Sequence, residues 1–350
     1  MRHRTRLSGL FTFLALLSAP AVAGAQPLDL LDLRSEYVPP TALGGDRPAG
    51  AAPWSDADDV QVSTYSVALK LPLALSDSTL LVPGIGYRLD KLSFSHESPA
   101  ERELDLHAFE LPLTLIHLLS KDWMLLFQAS PGFSGGLGAV QSRALRMQGL
   151  GLASHQFSDE LVLGGGGAAM FEFGSLLPLP VLYAQWEPTP QVKVEALLPL
   201  QAEAKLALGD RFEIGLRADV DGSSYSISDS AIRGSWPCKA EADDPTTPQN
   251  EAQSDPAQCV DHVGYSVATA GATFGVRTFD SLWFTVYAAR TVYRRFEQMN
   301  ADNDRVAGGT QTLPNAFFAR VGLTWRLPDG GDENPAPQQK RAAASNKETP

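Results

Sequence analysis

From about residue 29 to residue 327 the chain is built of strand-like blocks, an acidic first one at 29–38 and then, from residue 59, blocks in which apolar and polar positions alternate one by one. In 60–73, Tyr65, Val67, Leu69, Leu71 and Leu73 share one face, and Thr64, Ser66, Ala68, Lys70 and Pro72 the other. In 212–220, Phe212, Ile214, Leu216, Ala218 and Val220 oppose Glu213, Gly215, Arg217 and Asp219. The last block sets Phe317, Ala319, Val321, Leu323, Trp325 and Leu327 against Phe318, Arg320, Gly322, Thr324 and Arg326. Successive side chains of a strand point to opposite faces, so a period of two predicts strands with one apolar and one polar face. Many blocks run 10 to 15 residues. That exceeds the about five or six of an ordinary strand and suffices for the about 9–11 with which a tilted strand crosses a membrane.

The breaks between blocks alternate in kind. Tight polar turns stand at Ser76-Asp77-Ser78, Ser120-Lys121-Asp122, Ser158-Asp159-Glu160, Glu187-Pro188-Thr189-Pro190, Gly209-Asp210-Arg211 and Phe279-Asp280-Ser281, and longer connections at 95–103, 135–143, 229–261 and 297–313. Short turns on one side and long loops on the other are the habit of an up-and-down barrel in an outer membrane. The expected fold is therefore all-β: one up-and-down antiparallel transmembrane β-barrel of about fourteen strands, or twelve if the short pair around Leu198-Pro199-Leu200 is dropped. An even count returns both termini to the tight-turn side, the periplasm.

The ends agree with export. Arg2, Arg4 and Arg6 precede an apolar stretch from Leu7 to Val22 and a small-residue exit at Ala23-Gly24-Ala25, the three parts of a cleaved secretory signal. Residues 1–25 read as that signal, 26–327 as the barrel, and 328–350, rich in Pro, Asp, Asn, Gln, Lys and Ala, as a disordered periplasmic tail. No later window holds the about 18 apolar residues of a spanning helix, so strands must carry the chain across lipid. Removing three of the 28 basic residues with the signal leaves 25 against 40 acidic ones, a net of −15. Such a surface excludes nucleic acid as a partner, because that binding needs Lys and Arg on phosphates. Outer-membrane lipid is the expected partner.

Cys238 and Cys259, the only cysteines, both lie in the 229–261 connection. In an exported chain they read as a disulfide, stabilising by about 3 kcal/mol through loop closure. That connection carries seven acids against two bases, and is expected to fold over or into the mouth and disfavour anions. Trp123, Trp186 and Trp283 lie next to tight turns and Trp325 near the exit of the last strand, and the four read as an interfacial girdle. The opposite rim draws on Tyr37, Phe94, Phe133, Tyr225, Tyr265, Tyr293 and Phe317. The polar strand faces place Lys70, Arg88, Glu110, Lys193, Glu195, Glu203, Lys205, Glu213, Arg217, Asp219, Arg290, Arg320 and Arg326 toward the lumen. Pro72, Pro83, Pro112, Pro131, Pro178 and Pro180 fall inside blocks, where proline demands a bulge or an edge.

Catalytic and cofactor chemistry finds no pattern. The run Gly164 to Gly167 has no Lys-Ser or Lys-Thr to complete a phosphate cradle. His107, His117, His155 and His262 sit in separate blocks without a Ser-His-acid order. The acidic clusters at 56–59 and 300–304 lack the spaced ligands and glycine of a calcium loop. No metal, no cofactor and no enzyme activity is expected.

Arg320-Val321-Gly322-Leu323-Thr324-Trp325-Arg326-Leu327 resembles the closing signal read by the barrel-assembly machinery, with Arg320, Gly322, Trp325 and Leu327 at its defining positions. It stands 23 residues before the C-terminus instead of at it. The chain to Leu327 also resembles an uncharacterised, domain-of-unknown-function family of bacterial outer-membrane β-barrels. Ser35-Glu36-Tyr37-Val38-Pro39, 65–72, 177–182, 198–203 and Tyr293-Arg294-Arg295-Phe296-Glu297 carry that likeness. It implies a barrel in the outer membrane of a Gram-negative cell and no reaction. The function expected is a porin-like passive channel for small solutes. The alternatives are a barrel with a plugged lumen that is structural or surface-binding, and, behind both, an outer-membrane hydrolase.

Overall fold

Alternation over this length yields strands throughout. The computed structural model describes residues 29–42, 57–96, 102–135, 144–172, 175–227, 261–279, 281–300 and 304–326. Their strands are β1 (Asp29–Ala42), β2 (Ala57–Lys70), β3 (Leu73–Ser76), β4 (Thr79–His96), β5 (Arg102–Glu110), β6 (Leu113–Leu118) and β7 (Trp123–Gly135). There follow β8 (Leu145–Ser158), β9 (Leu161–Glu172), β10 (Ser175–Thr189), β11 (Val192–Leu198), β12 (Gln201–Leu208) and β13 (Phe212–Ser226). The last are β14 (His262–Phe279), β15 (Leu282–Met299), β16 (Arg305–Thr312) and β17 (Phe317–Arg326). The pairs β2/β3, β5/β6 and β16/β17 are each one stave with a break, which reduces seventeen strands to fourteen staves. Each stave pairs antiparallel with the next, and β1 closes the barrel against β17, with Leu33 opposite Leu323. The signal, Cys238, Cys259, Leu327 and the tail lie outside the described residues. The 297–313 connection, read from sequence as a loop, contains β16, which pairs with β15 through Arg295↔Thr312.

The prolines of four adjacent staves stand side by side. Pro72 and Pro112 are the breaks between β2 and β3 and between β5 and β6. Across this row the carbonyls of Pro83, Pro112 and Pro131 accept from the amides of Leu71, Gly84 and Leu111 at 2.9, 2.7 and 2.9 Å. A proline lacks only the donor, so the ladder continues through its acceptors.

Two zones divide the barrel along its axis. In the zone next to the tight turns, large apolar side chains such as Val67, Leu69, Ile85, Leu216 and Phe284 are exposed outside. In the zone toward the loops the phase inverts. On β2 the inward Val60 and Val62 are buried while Gln61 and Ser63 face out, and on β5 the inward Leu104 and Leu106 are buried while Glu103 and Asp105 are exposed. Apolar outside means lipid and polar outside means water, so these staves rise beyond the membrane. Strands of eighteen residues (β4, β14 and β15) have the length for both zones.

The loop-side zone is sealed from within. Above Asp219, which pairs with Gln201 of β12, β13 parts from β12, stays paired with β14 to Ser226↔His262, and reaches β7. There Ser226 pairs parallel with Gly135, and Ser134 Oγ donates to the Ser224 carbonyl at 2.7 Å. Gly135 allows the approach, because a Cβ there would lie 2.8 Å from the Ser226 carbonyl. β13 thus partitions the interior. One side holds an apolar cluster that includes Val60, Leu92, Leu106, Tyr225, Tyr265 and Phe318. The other holds Leu126, Leu152, Met170, Leu179, Val181, Tyr183, Leu197 and Leu200 on the inward faces of β7 to β11, with Val220 of β13 against them. The second lobe needs a tightly curled sheet. Gly166 provides it, since a Cβ there would meet the Gly151 carbonyl at 1.9 Å. That is the role the structure gives the four-glycine run.

Candidate functional site

Below the two clusters, on the tight-turn side, the lumen opens into a cavity of about 820 Å³. Residues of β1, β2, β4 and β5, of β10 to β15 and of β17 line it, down to Pro190 and Gln191 in a tight turn. Its wall carries nine carboxylates (Asp29, Asp32, Glu36, Glu110, Glu187, Glu203, Glu213, Asp219, Asp221) and eight cations (Arg34, Lys70, Arg88, Lys193, Lys205, Arg217, Arg320, Arg326). The wall is nearly neutral, and most of these charges are paired across staves.

At the roof, Arg88 donates from Nε to Asp90 Oδ1 at 2.9 Å and from Nη1 to Asp221 Oδ2 at 2.8 Å. Thr64 Oγ1 and the Tyr225 hydroxyl each donate to Asp90 at 2.6 Å. Three donors, Arg88, Thr64 and Tyr225, thus satisfy a fully buried carboxylate. In the middle, Arg320 Nε donates to Glu36 Oε1 at 2.7 Å and Nη1 to Asp219 Oδ1 at 3.2 Å. Its guanidinium lies 5.3 and 5.2 Å from the ring centres of Tyr287 and Phe318. Nearer the mouth, Lys205 and Arg217 flank Glu203 at 3.2 and 3.8 Å, and Arg326 reaches Asp29 and Glu213, each at 3.6 Å. Arg34 pairs with Asp32, Lys193 with Glu187, and Glu110 with Arg146 of β8.

Of the charges that alternation assigns to the lumen, Lys70, Arg88, Glu110, Lys193, Glu203, Lys205, Glu213, Arg217, Asp219, Arg320 and Arg326 all line the cavity. Glu195 is inward-facing but buried in the wall. Arg290 is outside: Tyr287 and Ala289 are buried, while Ala288 and Arg290 are exposed. Sequence reading missed Glu36, Asp90 and Asp221, which complete the pairs. The parity of Asp32, Arg34 and Glu36 on β1 was available as a signal, but the acidic character of that block obscured it.

The tryptophans separate. Trp123, Trp186 and Trp325 are about half exposed on the lipid face beside the tight turns, and His155 packs 4.8 Å from Trp123. Trp283 shares parity with Thr285 and Tyr287, so it points inward and lies 4.8 Å beneath the Arg326 guanidinium. At the opposite rim Tyr37 and Phe317 are exposed, whereas Phe94, Tyr225 and Tyr265 are buried inside the loop-side cluster. Arg320, Gly322 and Trp325 occupy β17, the closing strand.

No catalytic arrangement forms among the described residues. His107 and His117 face outward and bond Tyr87 and Thr79 of the neighbouring stave, and His262 is buried. Among the described residues no group of three His, Cys, Asp or Glu is placed to hold a metal.

A closed antiparallel barrel with an apolar outer belt, a polar interior and short turns on one side is an outer-membrane β-barrel. The chain matches over residues 21–235 the family described as a domain of unknown function (DUF6268), and it belongs to that family. No curated protein sequence matches it. Among solved structures it is similar to an outer-membrane channel from Pseudomonas putida F1 (11% identity, 88% of this chain and 99% of that one, TM-score 0.42). Others are the P. putida toluene transporter TodX (7%, 85% and 89%, TM-score 0.35) and the translocator domain of the autotransporter NalP from Neisseria meningitidis (11%, 88% and 90%, TM-score 0.35).

Proposed function

We propose that this barrel is a channel for small, neutral or zwitterionic polar solutes, with a periplasmic vestibule and a seal on the extracellular side. The observation that carries the reading is the cross-braced, nearly neutral cavity, open beside the tight turns and roofed by the partition strand β13. Balanced charges bind both ends of a zwitterion without strong preference for either ion. Tight turns and both termini are assigned to the periplasm, and β17 to the barrel-assembly machinery. The acidic 229–261 connection, with Cys238 and Cys259 paired, disfavours anions near the mouth. Anion selectivity that survives deletion of that connection would argue against this last role.

The seal makes the reading testable. The wild-type protein in planar bilayers is expected to show rare, small openings. Gly135→Val, which drives β13 off β7, is expected to raise mean conductance by roughly an order of magnitude, as release of a steric block implies. A large, steady wild-type conductance that Gly135→Val leaves unchanged would place the conducting path elsewhere. A barrel that never opens, the structural alternative, predicts no current from either protein.

A further inference from the structure

The ion pairs of the cavity wall leave one cation over. Among the described residues, every one of the nine wall carboxylates holds an Arg or Lys. Of the eight wall cations, Lys70 alone has no carboxylate partner among the described residues. It ends β2 on the tight-turn side, half-buried, and lines the cavity. Its register partner on β4 is Gly84, where a Cβ would lie 3.4 Å from Lys70 Cγ and 3.0 Å from Pro112 Cγ. The glycine thus seats the lysine stem beside the proline break.

The wall beside it carries small side chains. Ser66, Ala68, Gly86 and Ala108 line the cavity on β2, β4 and β5, with Ala68 opposite Gly86. On the other side of β2, Asp32 of β1 stands opposite Ala68. Asp32 and Lys70 are therefore diagonal neighbours on the inward face, a relation that spans about 7–8 Å. No ion pair joins the two. Asp32 is held by Arg34, whose Nε donates to Oδ1 at 3.0 Å and whose Nη2 pairs with Oδ2. A carboxylate has about four acceptor sites, so each Asp32 oxygen keeps room for a further donor.

We propose that Lys70 and Asp32 form a docking site for an α-amino acid, whose carboxylate pairs with the Lys70 ammonium and whose ammonium donates to Asp32. A carboxylate approaching any other wall cation must displace one already bound there, whereas at Lys70 it displaces water. A single uncommitted cation matches a monovalent anion and not a phosphate dianion. Ala68 and Gly86, between the two charged groups and β5, leave space for the solute's carbon skeleton. A contact with a solvated lysine is weak, which suits a channel, because a conducted solute must also leave. The site rests on the channel reading for its purpose, but binding is measured without flux. A silent bilayer and an empty site are therefore separate results.

Saturation-transfer NMR on the folded protein in deuterated detergent micelles tests the site, with glycine, N-acetylglycine, glycinamide and inorganic phosphate as probes. Glycine is expected to bind tightest, because N-acetylglycine lacks the cation and glycinamide the anion. Lys70→Met is expected to weaken glycine about fivefold, the upper worth of a solvent-accessible ion pair, and Lys70→Arg to keep most of the affinity. Lys91→Met, which removes an exposed cation paired with Asp105 outside the cavity, controls for net charge. Asp32→Asn frees Arg34 and is expected to reverse the preference, so that N-acetylglycine binds tighter than glycine. Heat-modifiable gel migration reports folding, and Lys70→Gln serves if Lys70→Met loses it. Equal binding of glycine and glycinamide, tighter binding of phosphate than of glycine, or glycine affinity unchanged in a folded Lys70 variant would overturn the site. So would a wild-type protein that binds no glycine.

Discussion

Arg320→Met is expected to destabilise the barrel by about 3–5 kcal/mol, the range for removing one partner from a buried, hydrogen-bonded charge pair. Arg320 joins β17 to β1 through Glu36 and to β13 through Asp219, both buried. Its loss removes the ion-pair partner of Glu36 and leaves Asp219 with Arg217 at 3.5 Å and the Thr269 hydroxyl at 3.2 Å. Arg320→Lys should recover little, because an ammonium cannot reach both acceptors in the planar fork that a guanidinium presents. The triple variant Arg320→Met, Glu36→Gln, Asp219→Asn should recover much of the stability, since neutral partners carry no unpaired charge. Denaturant unfolding in detergent, followed by tryptophan fluorescence, measures all three. A single-variant cost under about 1 kcal/mol, the usual worth of a solvent-exposed pair, would show that the cavity wall is well hydrated and the network incidental.

Pro178→Thr with Pro180→Thr is expected to weaken a strand that ordinary propensity says it should strengthen. Threonine favours strands, yet each exchange returns an N–H to the unpaired edge of β10, which faces lipid. An unsatisfied backbone group in hydrocarbon costs several kcal/mol. The double variant should therefore lose its heat-modifiable migration at a clearly lower temperature, or form dimers that pair the new donors. Raised stability in a monomer would mean that this edge already has a partner.

Much of the architecture could be read from alternation because a membrane barrel couples each strand face to one solvent. Leu69 and Lys70, or Trp325 and Arg326, are adjacent in the chain and must face lipid and lumen. Residue parity therefore assigned most of the cavity wall. It failed where the chain departs from a uniform ladder. Arg290 follows the outward parity of Ala288, which counting polar residues overlooked. The register shift between Ala268 and Thr269 turns Arg294 inward to Tyr265 and Thr41. Trp283 sits next to a tight turn like Trp123 but has the opposite parity. A visible clue went unused. Gln61, Ser63, Glu103 and Asp105 mark the height at which the outside becomes water and the apolar face turns inward.

The sequence by itself determined the class of fold, a count of about fourteen staves with twelve as the alternative, the side on which the turns are short, and most of the charges in the lumen. These follow from a period of two and from turn chemistry, both local properties of the chain. Only the tertiary structure decided that the loop-side interior is packed by β13 and two apolar clusters, that the charges are cross-braced, and that among the described residues β10 runs past the short hairpin beside it. Each of these depends on contacts between residues far apart in sequence. Ser226 meets Gly135 across the lumen, Glu36 meets Arg320 around the closure, and Pro178 is left facing the place where a short hairpin ends.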